Sequence, residues 1–108
     1  MAHYLIRASY TPETWAALLK NPSNRREVVR GLVEGMGGKL ETLYFSFGDD
    51  DIIVIVEAPD NVTIAAAALA VTASGAFRSY STTPLMTAEE AMDAMRRAAA
   101  VGYRPPSA

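Results

Sequence analysis

The sequence has no cysteine and only one histidine among its 108 residues. The first absence excludes a disulfide scaffold, a thiolate metal site, an iron–sulfur cluster and a cysteine nucleophile. The second excludes any site that needs two imidazoles from one chain. Excess charge is also lacking, because ten basic and twelve acidic residues give a net charge of −2. We therefore expect neither nucleic acid nor an anionic membrane as a partner.

Long hydrophobic runs are missing as well. The longest apolar stretch, residues 64–71, is far shorter than a membrane span, which needs roughly 20 residues. The first ten residues hold no apolar segment of signal-peptide length, and Arg7 interrupts them. We expect a cytoplasmic protein with a single domain over residues 1–102 and a flexible tail over 103–108.

What the sequence does contain is a regular alternation of strand and helix patterns. Runs rich in β-branched and aromatic residues predict strands over 3–10, 39–47, 51–58 and 77–83. Apolar residues at helical spacing predict helices over about 12–36, with a break near 21–24, over 61–74 and over 88–101. Thr87 and Glu90 have the spacing of a capping box at the start of the last helix.

The order of the elements predicts an α+β fold. With residues 12–36 as one crossover, strand, helix, strand, strand, helix, strand is the ferredoxin-like βαββαβ arrangement. Right-handed crossovers give an antiparallel sheet of order 4-1-3-2 with both crossover helices on one face. The C-terminal helix is an addition to this unit. The other face of the sheet is then bare.

The bare face of the sheet indicates that the protein forms a homo-oligomer. The third strand, residues 52–56, is apolar on both sides, which suits a strand buried on both faces. A monomer exposing Leu5, Ile53 and Ile55 would carry an apolar patch that soluble monomers seldom tolerate. We expect a homodimer or higher homo-oligomer with sheets packed face to face, of the dimeric α/β-barrel type. The alternative is that the C-terminal helix folds over this face.

Strand phase assigns residues to the two sides of the sheet. Tyr4, Ile6, Ala8 and Tyr10 form the more uniformly apolar side of the first strand and are expected to face the helices. A register error of one residue would reverse such an assignment. The bare face would then carry His3, Leu5, Arg7, Ser9, Thr42, Tyr44, Ser46, Ile53, Ile55, Glu57, Arg78, Tyr80 and Thr82.

Four segments resemble the GYD domain family, namely residues 4–11, 37–41, 56–60 and 82–85, within a match over about residues 3–97. The resemblance implies a ferredoxin-like fold, similar to the dimeric α/β-barrel superfamily, in bacterial proteins without an assigned activity. The Gly-Tyr-Asp signature of the family corresponds here to residues 47–51, where Asp50 replaces the tyrosine. The role of that tyrosine is therefore not transferred, and the family supplies no catalytic residues.

The strongest candidate site combines Arg7, Arg78, Tyr44 and Tyr80. Arginine offers a donor fork that fits carboxylates and phosphates, and tyrosine offers an apolar wall with a polar tip. A cavity between sheet and partner lined in this way would take a small anionic or aromatic ligand. The alternative is that the arginines pair with Glu57 or with the partner and only complete the interface.

Two further candidates have simpler explanations. His3 and Glu57 would suit a general-base dyad, although His3 is close to the terminus and suits an ordinary surface histidine as well. The acidic run at residues 49–51 has the ligand type that Ca²⁺ and Mg²⁺ prefer. Three adjacent carboxylates point in different directions, however, so we interpret the run as a solvated turn. The sequence predicts no metal site and no cofactor.

Two classes of function follow from these patterns. In the first, the protein binds a small ligand, or is a cofactor-independent enzyme of the monooxygenase or isomerase kind, the latter by analogy of fold alone. In the second, it is an oligomerisation module whose sheet face is filled by side chains. An open cavity with polar lining would favour the first class.

Overall fold

The computed structural model describes residues 1–106, which form one four-stranded antiparallel sheet and four helices. The strands are β1 (Ala2–Tyr10), β2 (Lys39–Phe45), β3 (Ile52–Ala58) and β4 (Phe77–Leu85), and the helices are α1 (Pro12–Lys20), α2 (Arg25–Gly35), α3 (Asn61–Ala73) and α4 (Ala88–Ala98). Ser107 and Ala108, at the end of the expected flexible tail, lie outside the described residues.

The sheet has the order β2-β3-β1-β4, with every neighbouring pair antiparallel. Read from the β4 edge, this is 4-1-3-2. The α1–α2 segment connects β1 to β2, and α3 connects β3 to β4, so the chain follows the βαββαβ order with α4 appended. The architecture is ferredoxin-like α+β.

Polar caps define where the helices begin. Thr11 caps α1 by accepting a hydrogen bond from Thr14 N at 3.2 Å. Asn24 caps α2 through its side-chain oxygen, 3.1 Å from Arg26 N. Each cap satisfies a backbone donor that the helix itself leaves unpaired. The predicted break near residues 21–24 therefore separates two helices.

The core lies between the sheet and the helices. Tyr4, Ile6, Ala8 and Tyr10 are buried on this side, as the strand phase of β1 predicts. The first three join a buried apolar cluster that includes Val33, Leu43, Ile52, Val54, Val56, Ala58 and Ile64. The Tyr4 hydroxyl donates to the Asn61 side-chain oxygen at 2.5 Å, which fixes the start of α3 against β1.

The predicted phase of β4 is wrong. Tyr80 pairs with Ala8 and Thr82 pairs with Ile6, so both lie on the helix side, where Tyr80 packs against the core. Side chains of directly opposed residues share a face of the sheet. The bare face instead receives Ser81, Thr83 and Leu85. A register shift between Ser9 and Tyr10 allows Phe77 and Tyr80 both to face the helices, which strict alternation forbids.

The C-terminal helix does not fold over the bare face. No residue of α4 is buried, and Met92 and Met95 are 52% and 69% exposed. The described chain has a radius of gyration of 17.5 Å, against about 13 Å for a compact domain of this length. The helix therefore stands clear of the body of its own chain.

Within residues 1–106, no helix has the length and apolar character that crossing a bilayer requires.

Candidate functional site

The bare side of the sheet, hereafter the open face, consists of three rows of four side chains. Within each row, adjacent residues are register partners across the sheet. Leu5, Ile53 and Ile55 are half-buried there, and the Tyr44 side chain is 67% exposed. The rows are Tyr44, Ile53, Arg7 and Ser81; then Thr42, Ile55, Leu5 and Thr83; then Lys39, Glu57, His3 and Leu85.

The six predicted site residues are not brought together. Arg7 and Tyr44 share a row of the open face, with Ile53 between them. Tyr80 is on the opposite side of the sheet. Arg78 is exposed near the start of β4, in a surface depression with Tyr10, Trp15 and Asp51. A single cavity cannot be lined by all of them.

The partner of His3 is Glu41 rather than Glu57. His3 Nδ1 lies 2.9 Å from Glu41 Oε2. This hydrogen bond is the largest cause that raises the pKa of His3 above 6.5, and the charges of Glu41, Glu57 and Glu90 add to it. Glu57 is the cross-strand neighbour of His3, but it acts only through its charge.

The acidic run is not uniformly solvated. Asp51 Oδ2 accepts hydrogen bonds from the backbone N of Tyr10 at 2.9 Å and from Trp15 Nε1 at 3.1 Å. Asp51 thus ties the β2–β3 hairpin to β1 and α1, which corrects the interpretation of all three carboxylates as a free turn. Within residues 1–106 no cluster of three or more histidine and acidic side chains has a metal-binding arrangement.

A second concave surface lies on the helix side, where α2 and α3 diverge over the sheet. This helix–sheet cleft has a volume of about 330 Å³. Its floor is formed by side chains of β1 and β3, and its walls by α2, α3 and the start of β4. The lining includes Ile6, Ala8, Ile52, Val54, Val29, Leu32, Met36, Ile64, Ala67, Val71 and Phe77, together with Tyr10, Arg25, Ser74 and Tyr80.

Arg25 gives the cleft its only charge among the lining residues. The Arg25 Nε atom is buried and has no hydrogen-bond partner in the described part of the chain. Buried polar atoms are rarely left in this state. An acceptor that enters the cleft would complete the hydrogen bonding of this guanidinium.

Two phenols share the cleft with Arg25. Burial raises the pKa of Tyr10, and the Arg25 guanidinium beside it offsets part of that effect. Burial also raises the pKa of Tyr80. The Phe77 ring connects the two, stacked on Tyr10 at 4.7 Å and edge-on to Tyr80 at 5.8 Å between centroids. Both phenols stay protonated near neutral pH and form part of an aromatic wall.

Sequence reasoning missed Arg25, although a signal was present. Arg25 and Arg26 open α2, and positive charge at a helix N-terminus opposes the helix dipole. Residues that break a local rule often serve a function. Arg25 and Tyr80 are far apart in the sequence, so sequence patterns do not show that they line the same cleft.

The sheet order, the helices on one face and the open opposite face define a ferredoxin-like α+β domain. The model of the GYD domain matches residues 4–95, so this chain belongs to the GYD domain family.

Comparison with solved structures shows the same fold in a longer protein. The crystal structure of MtbAldR superimposes with a TM-score of 0.52 and 18% identity. The match covers 80% of this chain and 52% of that chain, so the present chain spans about half the length of MtbAldR. A likeness at this level of identity shows the fold alone. The search of curated proteins finds no significant match.

Proposed function

We propose that this GYD-family protein binds a small amphipathic acid in the helix–sheet cleft. The observation that carries the proposal is the buried Arg25 Nε, which lacks a partner within residues 1–106, at the edge of an apolar cleft. Arginine presents its donors as a planar fork that matches a carboxylate. A ligand carboxylate would meet the Arg25 guanidinium, and its apolar body would lie over Ile6 and Val54.

The size and lining of the cleft support the same class of ligand. About 330 Å³ is at the small end of the roughly 300–1,000 Å³ typical of ligand pockets. The lining is apolar apart from Arg25, two phenols and Ser74. Protonated Tyr10 and Tyr80 offer donors rather than charge. An aromatic or branched aliphatic monocarboxylate fits this combination, which keeps the ligand class that the sequence predicted and changes its place.

Binding is favoured over catalysis for this site. A general base needs a pKa near the working pH. The titratable side chains lining the cleft are Arg25, Tyr10 and Tyr80, and the pKa values of both phenols are raised above 10.0. The lining therefore holds and orients a ligand better than it moves a proton at neutral pH.

The test is titration with 3-phenylpropionate and with 3-phenylpropanamide, its uncharged analogue. The single tryptophan, Trp15, lies 5.2 Å from the Tyr10 ring and reports binding by its fluorescence. The carboxylate is expected to bind more tightly, and at about 100 times its Kd to stabilise the protein by roughly 2.7 kcal/mol in a thermal melt.

Arg25→Gln is expected to remove the preference for the carboxylate over the amide. Arg30→Gln is the matched control, because Arg30 is on the same helix, is paired with Glu27 at 2.8 Å and lies outside the cleft. Equal binding of the carboxylate by wild type and Arg25→Gln would contradict the proposal. So would the absence of any response in the wild type.

We also propose that two copies pack through their open faces, as in the dimeric α/β-barrel type. Leu5, Ile53 and Ile55 form the apolar centre of this face, and no described element covers them. Arg7 makes no ion pair within residues 1–106, so its guanidinium is available to the partner.

A ligand held between the two sheets, beside Arg7, Tyr44, His3 and Glu57, is the alternative location. We favour the cleft because its polar atom is already buried and lacks a partner in the described chain. The family resemblance supports a bacterial protein as the setting, and the cytoplasmic location stays a prediction from the sequence.

A further inference from the structure

The fourth helix is well formed, but none of its residues is buried within residues 1–106. Thr87 N donates to Glu90 Oε1 at 2.8 Å and Glu90 N donates to Thr87 Oγ1 at 3.1 Å, which completes a capping box. Acidic residues occupy the first turn, and basic residues occupy the last. The capping box satisfies backbone donors at the N-terminus of the helix. The charges at the two ends interact favourably with the helix dipole. The helical conformation of α4 is thus specified by its own sequence.

Such a helix still needs a surface to pack on. Isolated helices shorter than about 12 residues are marginal in water, and most helical stability in proteins comes from packing an amphipathic face. The eleven residues of α4 and its C-cap residue carry an apolar stripe on one side, formed by Ala91, Met92, Met95 and Ala99. No residue of the helix is buried in the described chain. Its stripe is therefore an unoccupied contact surface.

We propose that the apolar stripe of α4 packs against a second copy of this chain, as an arm that each protomer extends to the other. This inference rests on the proposed dimer. The start of α4 lies beside the open face, because Leu85 at the end of β4 is the register partner of His3 in the third row and the charges of His3 and Glu90 interact. Met86, which is 66% exposed, follows directly and leads into the helix. A partner that covers the open face would therefore also meet the start of α4.

The size of the interface also favours a second copy as the occupant. The three rows of the open face supply twelve residues per protomer. A stable interface commonly uses about 20–30 residues from each side. Met86 and the four stripe residues bring the contribution to seventeen, which is nearer to that range than the open face alone. In a two-fold dimer both arms are buried by the same symmetry operation, and methionine side chains adapt well to such a surface.

The charge pattern of α4 agrees with a one-sided contact. Asp93 and Arg97 form an ion pair at 2.9 Å and are both largely exposed. At 100° per residue they lie on the side of the helix opposite Met95. The charged side therefore remains in water while the methionine side is buried.

The experiment compares two variants that change net charge by the same amount. Met92→Glu with Met95→Glu places two carboxylates on the stripe, and Arg97→Glu also lowers the charge by two on the opposite side. Because a buried, unpaired charge is costly, the double variant is expected to raise the dimer dissociation constant at least about tenfold. Arg97→Glu is expected to leave it within about twofold of wild type. Sedimentation velocity over a concentration series gives the three constants.

The outcomes separate the arm from the dimer. If the wild type is dimeric and the double variant dimerises as tightly as Arg97→Glu, the proposal that α4 packs on the partner is wrong. The proposal of an open-face dimer is unaffected by that result. A wild type that is monomeric at all concentrations overturns both.

A nitroxide label on Met95→Cys provides an independent measurement, since the chain has no cysteine of its own. The label is expected to be immobilised in the dimer and mobile after dilution to monomer. Mobility in both states would show a free helix. Immobilisation in both would show packing within one chain, and either result overturns the proposal.

Discussion

The hydrogen bond between His3 and Glu41 makes the only histidine a reporter on the edge of the open face. The pKa of His3 is raised above 6.5 by that bond and by neighbouring carboxylates. A raised pKa in the folded state means that protonated His3 stabilises the fold. This contribution is complete below pH 6.5, the unfolded value, and is lost as the pH rises through the folded pKa.

We predict that NMR titration of the imidazole protons gives a pKa above 6.5. Glu41→Gln is expected to lower it towards that value, because the variant removes the charge that holds the protonated ring. Glu57→Gln, which removes only a neighbouring charge, is expected to lower it less. The imidazole signals are unambiguous because the chain has one histidine. Equal shifts in the two variants would show that the 2.9 Å contact between His3 Nδ1 and Glu41 Oε2 does not persist in solution.

Individual residues were the hardest part of the structure to predict. Asp51 lies in an acidic run that is typical of a solvated turn, yet its carboxylate receives donors from Tyr10 and Trp15. These contacts span 36 to 41 positions of sequence, and local turn chemistry contains no information about them. Arg25 was missed for the same reason. The signal at Arg25 was an unfavourable placement, because its positive charge lies at a helix N-terminus, where the helix dipole disfavours it.

Two glycines, one at the α2–β2 connection and one inside α2, show how the surroundings of a position decide what a side chain there would do to stability. A Cβ at Gly38 would lie 2.3 Å from the carbonyl oxygen of Glu57 and 3.1 Å from Val33 Cγ1. Gly31 lies inside α2, and a Cβ there would have no heavy atom within 4 Å. Substitution by alanine is therefore expected to have opposite effects on the stability of the fold at the two positions.

We predict that Gly38→Ala destabilises the fold by at least about 1–3 kcal/mol, since a backbone oxygen must move. Gly31→Ala is expected to stabilise it by about 0.5–1 kcal/mol through helix propensity. Urea unfolding monitored by circular dichroism gives both values. A Gly38→Ala variant as stable as wild type would mean that α2 ends further from β3 than described.

Elements were predicted better than their orientation. Thr87 caps the last helix where the sequence indicates, because a cap depends on neighbouring residues only. The phase of β4 failed because Phe77, Arg78 and Tyr80 give no clear alternation, and because the shift near Ser9 changes the register within the strand. A bulge of this kind is decided by the partner strand.

The whole molecule has two proposed functional surfaces, one on each side of the sheet. Ile55 lies near the centre of the open face, between Thr42 and Leu5. We predict that Ile55→Lys abolishes the dimer or makes the protein insoluble, because a charge would be placed in an apolar contact. Val62→Lys is the control, since Val62 is 79% exposed on α3 and receives the same charge. Light scattering gives the masses, and an unchanged dimer in Ile55→Lys would place the interface elsewhere.

The alternation along β3 also limits how the gene for this protein can change. Ile52 and Val54 line the cleft, and Ile53 and Ile55 lie on the open face. Insertion or deletion of one codon within this strand would exchange the two sets. The six residues between β2 and β3, positions 46–51, have no such constraint apart from Asp51. We therefore expect insertions and deletions among descendants of this sequence to occur in the β2–β3 loop rather than in the two central strands, β1 and β3.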